Sequence, residues 1–244
     1  MRQRGHAADA AIGRPRADGS RPASPREEII RAATRLFAEK GFVNTTMTSV
    51  AEAAGLRQPS VYYYFRNKEE LLYATASINR FSATVVTLLR DCDATPAEKL
   101  YRLLYEDTKH ICNLAPLDYH QVENVAYQRP EEFSEFWTDY HALFDGIVEF
   151  IEQGVESGQF SVEDPRIAGA AALSLNEGLQ KLHRYRQGSA ADRGLPLPIA
   201  DLDDEKVAHQ SATTTLASLL VDRGALAQVR AAASAIALDV APEG

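Results

Sequence analysis

Three consecutive tyrosines, Tyr62, Tyr63 and Tyr64, lie in the stretch AEAAGLRQPSVYYYFRNKEELL (51–72), bracketed by Arg57, Arg66 and Lys68. Phenolic hydroxyls donate to phosphate oxygens, tyrosine rings pack on sugars, and guanidinium and ammonium groups pair with phosphate. Gln58 adds an amide able to read an adenine edge, and Arg57 suits guanine or phosphate. At about 100° per residue, three adjacent side chains fan around a helix, so they cannot all face one core. Together these residue types support contact with a nucleic-acid backbone, provided one element presents them on an outer face.

The surrounding pattern supplies such an element. Ile29, Ile30, Ala33, Leu36 and Phe37 form one helical stripe, with Ser24 placed as N-cap and Pro25 at the first helical position. Gly41 ends this helix, and Phe42 is placed to fold back on Phe37. A second short helix is expected at about 47–54, capped by Thr46, before Gly55 permits a tight turn. Gln58-Pro59 opens a third helix ending near Phe65. A fourth starts at Asn67, where Asn67 and Glu70 form a capping box, and extends to about residue 91. Helix, short helix, Gly turn and short helix make a helix-turn-helix, whose second helix enters the major groove while the first braces it. With Val61 and Phe65 turned inward, Gln58, Ser60, Tyr62 and Tyr63 lie on or beside the outer face. Lys68 stands at the start of the fourth helix, where free N–H groups and the dipole favour a phosphate.

Further helices are expected at about 96–114, 117–127, 130–156, 164–187, 203–222 and 225–238, with Pro or Gly near several boundaries. No stretch alternates with period 2, so the chain reads as all-α. Residues 187–204 read as a surface loop. Residues 1–25 form a basic arm with no periodic apolar face, and this segment lacks the apolar region of a secretory signal.

The net charge of −8 is unevenly distributed. Residues 1–70 hold 12 Lys and Arg against 8 Asp and Glu, whereas the remainder holds 14 against 26. A polyanion would therefore bind the first part, and a protein that wraps DNA over much of its surface is disfavoured. No apolar run approaches the roughly 18 residues of a membrane span. Two cysteines, Cys92 and Cys112, offer no disulfide framework and suit a cytoplasmic location. No G-x-S-x-G, Walker A, H-E-x-x-H or G-x-G-x-x-G pattern is present, so no enzyme, cofactor or metal is expected.

The segment IIRAATRLFAEKGFVNTTMTSVAEAAGLRQPSVYYYFRNKEELL resembles the N-terminal DNA-binding domain of the TetR family of bacterial transcriptional regulators. The shared pattern is an apolar helix ending L-F-x-x-x-G-[YF], then T-T-x-x-x-[IV]-A-x-x-A-G, [LV]-Y-x-[YH]-F and x-N-K-E-x-L. The resemblance implies a flexible basic arm (1–25), a helix-turn-helix DNA-binding domain (26–70) and a larger helical ligand-binding and dimerisation domain (71–244). It implies DNA contacts by Thr46, Thr48, Arg57, Gln58, Pro59, Ser60, Tyr62, Tyr63 and Lys68. Arg57 departs from the helix-capping Ser common in the family, and Tyr64 replaces a common His. Arg14, Arg16, Arg21 and Arg26 lie on the arm, which in some members of the family reaches the adjacent minor groove; for all but Arg26 disorder is the alternative.

The resemblance further implies an inducer pocket in the body, for which Phe81, Tyr105, His110, Tyr119, Tyr127, Trp137, Tyr140, His141 and Asn176 are the candidates. Asn176 and Glu177 read either as pocket residues or as polar interface contacts. A homodimer is implied through about 164–187 and 203–222. The implied function is a ligand-responsive regulator: a repressor that binds a pseudo-palindromic operator and is released by an unknown small-molecule inducer, or alternatively an activator or ligand-independent regulator.

Overall fold

A computed structural model describes residues 24–75, 78–113, 119–187 and 203–240. The N-terminal arm, with Arg14, Arg16 and Arg21, and most of the expected 187–204 loop lie outside the described residues. Those described are helical apart from turns, one 3-10 turn at Arg223–Ala225 and one isolated bridge between Phe160 and Leu220. No helix among them is long and apolar enough to cross a membrane.

Helix α1 (Pro25–Asn44) starts in a reciprocal capping box between Ser24 and Glu27. Its ladder breaks at Gly41, where φ is 76°, a value the missing Cβ makes accessible. The break folds Phe42 back onto Phe37, with ring centroids 5.6 Å apart. The buried Thr45 hydroxyl then bonds the freed Gly41 carbonyl at 2.8 Å. Thr46 and Ser49 cap each other at the start of α2 (Met47–Ala53). Gly55, at φ 68°, turns the chain into α3 (Gln58–Tyr64). At the next start, Asn67 Oδ1 accepts the Glu70 N–H, while the Glu70 carboxylate accepts from Arg66 N at 2.7 Å. The reciprocal half of that box is thus one residue earlier than the sequence suggests.

Of the long fourth helix expected over 67–91, the described residues give α4 (Lys68–Thr75) and α5 (Ile78–Arg90), with 76–77 outside the described residues. The two segments serve different neighbours: α4 packs on α1, and α5 packs on α6 (Pro96–Asn113) and α8 (Ser134–Glu156). Leu71 and Leu72 of α4 belong to the apolar cluster of α1–α3, which also takes in Val122 and Ala126 of α7 (Tyr119–Gln128) and Phe133. The second cluster surrounds α6, whose Leu100, Leu103 and Leu104 are fully buried. Around α6 stand α5, α8, α9 (Pro165–Gln187), α10 (Asp204–Leu219) and α11 (Leu226–Ala235). The α5–α8 crossing is close because Gly146 faces Val86; a Cβ on Gly146 would lie 2.5 Å from Val86 Cγ1.

Candidate nucleic-acid interface and buried polar centre

The tyrosine triplet divides by packing. Val61 and Phe65 are buried, and Tyr64 is half-buried against the same cluster. Tyr62 and Tyr63 point outward, 46% and 83% exposed. Arg57, Gln58 and Pro59 are exposed and Ser60 half-buried, so α3 presents a continuous face of Gln58, Tyr62 and Tyr63 with Arg57 at its entrance. Arg57 occupies the N-cap position without making a side-chain cap bond, which leaves its guanidinium uncommitted to the helix. Thr48 is exposed at the start of α2. Thr46 is exposed too, but its hydroxyl oxygen accepts the Ser49 N–H and its own N–H donates to Ser49 Oγ.

Lys68 has a structural task that its sequence position did not reveal. Its ammonium lies 4.2 Å from the centroid of the Phe42 ring and donates to the Phe42 carbonyl at 2.6 Å and, more weakly, to the Val43 carbonyl at 3.4 Å. These carbonyls end α1, so Lys68 ties the start of α4 to the exit of α1. Desolvation by burial holds its pKa below the usual lysine value, with Glu69 opposing.

The body contains a buried polar centre around Asp107 of α6. Its carboxylate accepts from Ser82 Oγ of α5 at 2.5 Å, and from Asn176 Nδ2 and Gln180 Nε2 of α9, the latter at 2.8 Å. Asn176, with no solvent exposure, accepts in turn from the hydroxyls of Thr108 and Ser211. Four helices therefore share one network, and its members satisfy one another, as buried polar groups must. Beside it, the Tyr140 hydroxyl donates to Glu177 at 3.2 Å. One flank of Glu177 is open to solvent, yet desolvation of its carboxyl, with Glu123 and Asp107 adding to it, raises its pKa to about 7.

His110 stacks on Phe81, ring centroids 4.0 Å apart and planes 11° from parallel. Burial lowers its pKa to about 4, so the imidazole is neutral at physiological pH. Its Nε2 is buried without a hydrogen-bond partner, as is Nδ2 of Asn79.

Of the remaining ligand candidates, Trp137 and His141 meet each other and Tyr140, with ring centroids 6.2 Å apart for Trp137–His141 and 5.8 Å for Trp137–Tyr140, while the others lie apart. The Tyr105 ring is buried, but its hydroxyl is turned to Glu205 and Lys109 at the α6–α10 seam. Trp137 donates from Nε1 to the Ala126 carbonyl at 3.2 Å, joining α8 to α7. His141 is exposed. Tyr127 is 79% exposed, which corrects the expectation that it lines an interior, because it projects from the solvent side of α7. The side chain of Tyr119 lies outside the described residues. Asp107, Ser82, Thr108, Gln180 and Ser211 were not anticipated. One signal was available: Asp107 falls in phase with Leu100, Leu103, Leu104 and Ile111, placing a carboxylate on the apolar stripe of α6.

Comparison with known proteins agrees with this architecture. The family profile described as "Bacterial regulatory proteins, tetR family" matches residues 29–75. The transcriptional repressor KstR2 of Mycolicibacterium smegmatis is 24% identical over 164 residues, covering 58% of this chain and 70% of its own. The crystal structure of AmtR from Mycobacterium smegmatis superposes with a TM-score of 0.65 at 20% identity, over 92% of this chain and 99% of that one. The ketosteroid transcriptional regulator KstR2 of Mycobacterium tuberculosis gives 0.62 at 20% identity, over 82% and 97%. With the matched segment coinciding with α1–α4, residues 29–75 belong to the DNA-binding domain of the TetR family of bacterial transcriptional regulators, and a helical body follows it.

Proposed function

We propose that this regulator is a repressor that binds a pseudo-palindromic operator as a homodimer and releases it when a small molecule occupies the body. The observation that carries the reading is the division of α3: Val61 and Phe65 hold the helix to its core, leaving Gln58, Tyr62 and Tyr63 exposed together. In this reading residues 26–70 are the DNA-binding unit, with Leu71 and Leu72 completing its core, and 71–244 form the ligand-binding and dimerisation unit. Arg57, Gln58, Pro59 and Ser60 take the recognition entrance, Tyr62 and Tyr63 the groove and backbone, and Thr46, Thr48 and Lys68 the flanking phosphates.

The dimer reading is supported by an unpartnered small-residue stripe on α9. Ile167 is 70% exposed, and Ala170, Ala171, Ser174 and Gly178 follow it on the same exposed side. On α10, Gln210, Thr214 and Ser218 form a second exposed row. Two helices of this kind meeting their symmetry mates bury both stripes in an isologous interface. Two α3 helices would then address half-sites about 34–36 Å apart.

Release requires the ligand-binding body to move the head. The contacts available for this are the Tyr73–Glu135 bond between α4 and α8, and the Arg129–Glu69 ion pair at 3.4 Å. A ligand that favours a wider head spacing shifts the population away from the DNA-binding form. Selection of binding sites from random duplexes at two salt concentrations tests the reading. A recovered palindrome with affinity that falls steeply with salt is expected; absence of any enriched sequence would refute it.

A further inference from the structure

We propose that Tyr64 is a positioning residue: its half-buried ring holds the exposed ring of Tyr63 in one orientation before DNA arrives. The proposal rests on the DNA-binding reading above and adds how one of its backbone contacts is prepared.

Tyr64 is the last residue of α3, and the chain leaves the helix at Phe65, where φ is −138° and ψ 118°. Phe65 is buried in the cluster of α1–α4, and Tyr64 packs half-buried against the same cluster. Tyr63 stays outside, 83% exposed. Consecutive side chains on a helix diverge by about 100° and do not normally face each other. Here they do: the Tyr63 and Tyr64 ring centroids are 5.0 Å apart, with planes at 89°. This is the edge-to-face arrangement that the ring quadrupoles favour. Of the two rings, only Tyr64 is held by the core, so it is the fixed member and Tyr63 the one that is held.

An exposed tyrosine without such a neighbour exchanges among staggered χ1 wells, and a sugar or phosphate contact would have to select one of them. Freezing a side chain on binding costs affinity, and order supplied beforehand avoids that cost. The other outward tyrosine has no equivalent support: among the described residues no ring packs on Tyr62, although it is the less exposed of the two. Tyr62 is therefore left to adapt to the groove, whereas Tyr63 is preset, and a rigid, preset ring is suited to a fixed feature such as the sugar-phosphate backbone.

Full-length wild type, Tyr64→Phe, Tyr64→Leu, Tyr63→Ala and the double variant Tyr63→Ala/Tyr64→Leu are titrated against the duplex enriched by the site selection above. Phenylalanine keeps the edge-to-face contact, so Tyr64→Phe should bind within about twofold of the wild type. Leucine keeps apolar packing without a ring, and Tyr64→Leu should bind about three- to tenfold more weakly, the size expected for one aromatic pair. In the Tyr63→Ala background the same Tyr64→Leu change should cost less than about twofold, because the ring it positions is gone. In the DNA-free protein, the ring-proton shifts of Tyr63, assigned by their loss in Tyr63→Ala, should be displaced by the neighbouring ring in the wild type and Tyr64→Phe and should revert in Tyr64→Leu. An equal loss from Tyr64→Leu with and without the Tyr63 ring, or Tyr63 shifts that Tyr64→Leu leaves unchanged, would overturn the positioning role and make Tyr64 a packing residue alone. If Tyr63→Ala binds as tightly as the wild type, the proposal falls while the operator reading stands; if the wild type enriches no duplex, the operator reading fails and takes the proposal with it.

Discussion

Lys68 ties α4 to α1, and under the proposed function it also meets a phosphate; replacing it with Met separates the two. Methionine keeps an apolar stem across the Phe42 ring and removes the ammonium. The loss comprises the 2.6 Å bond to the Phe42 carbonyl, the weaker 3.4 Å contact to Val43 and the cation–π contact at 4.2 Å. A hydrogen bond to a charged group contributes roughly 1.5–3 kcal/mol, and an exposed cation–π contact about 0.5–1 kcal/mol. These share one half-exposed ammonium and do not add, so a net loss of about 2 kcal/mol is expected. In a chain of this size that corresponds to a fall in unfolding temperature of roughly 4–8 °C. An ammonium has three N–H donors, and two are directed at carbonyls, which leaves one for a phosphate. The salt dependence of operator binding should therefore flatten by about 0.9 per lysine, or about 1.8 per dimer. Calorimetry of the free protein and binding titrations from low to moderate salt read the two effects separately. An unchanged unfolding temperature would refute the cap. A lowered temperature with an unchanged salt slope would refute the phosphate contact and assign Lys68 to the fold alone.

Gln58→Ala should relax preference at one base pair per half-site, by about 1–3 kcal/mol, and site selection should recover a more degenerate palindrome. Tyr63→Phe should weaken binding to every sequence alike while leaving the salt slope in place, since the phenol carries no charge; a changed base preference would contradict a backbone role. Gly146→Ala forces a Cβ to within 2.5 Å of Val86 Cγ1 and should cost about 1–3 kcal/mol by chemical denaturation, with Val86→Ala restoring most of it. Glu177→Gln gives a pH-dependent result. The folded-state pKa of about 7 lies above the value in the unfolded chain, so the folded protein holds this proton more tightly, and Glu177 costs stability progressively as pH rises from the unfolded carboxyl range to 7, with the full cost reached above 7. The variant should show its largest gain in unfolding temperature over the wild type at pH 8 and a progressively smaller one as pH falls toward the unfolded carboxyl range of about 4; an equal gain across that range would show that charge is not the cause.

The buried centre also bears on how ligand and head communicate. Asp107 joins α5, α6 and α9 through Ser82, Asn176 and Gln180, and Asn176 extends the network to α10 through Ser211. Arg80 stands at the end of α5 nearest α4, where it shares Glu135 with Tyr73 of α4. The head and body thus meet through the apolar cluster that runs from α1–α4 into α7 and Phe133, and through a few polar contacts beside it.

The head was legible in the sequence because its rules are local. The Ser24–Glu27 and Thr46–Ser49 caps, the Gly41 break and the Gly55 turn each depend on residues within a few positions of one another. The resemblance over 29–75 then placed those elements in a known arrangement. The tyrosine triplet shows where that reasoning stops: helical spacing requires at least one ring to face outward, but only packing shows that Tyr64 turns in while Tyr62 and Tyr63 stay out. The tie from Lys68 to Phe42 and Val43 was not legible because those partners lie about 25 positions earlier. In the body the same limit was stronger. Aromatic content suggested Tyr127 as an interior residue, yet it faces solvent, and the polar centre around Asp107 went unforeseen. Asp107 meets Ser82 across 25 positions and Asn176 across 69. Periodicity tells which face of each helix is buried; which buried faces meet, and therefore which polar groups find partners and which do not, is decided only when the helices pack.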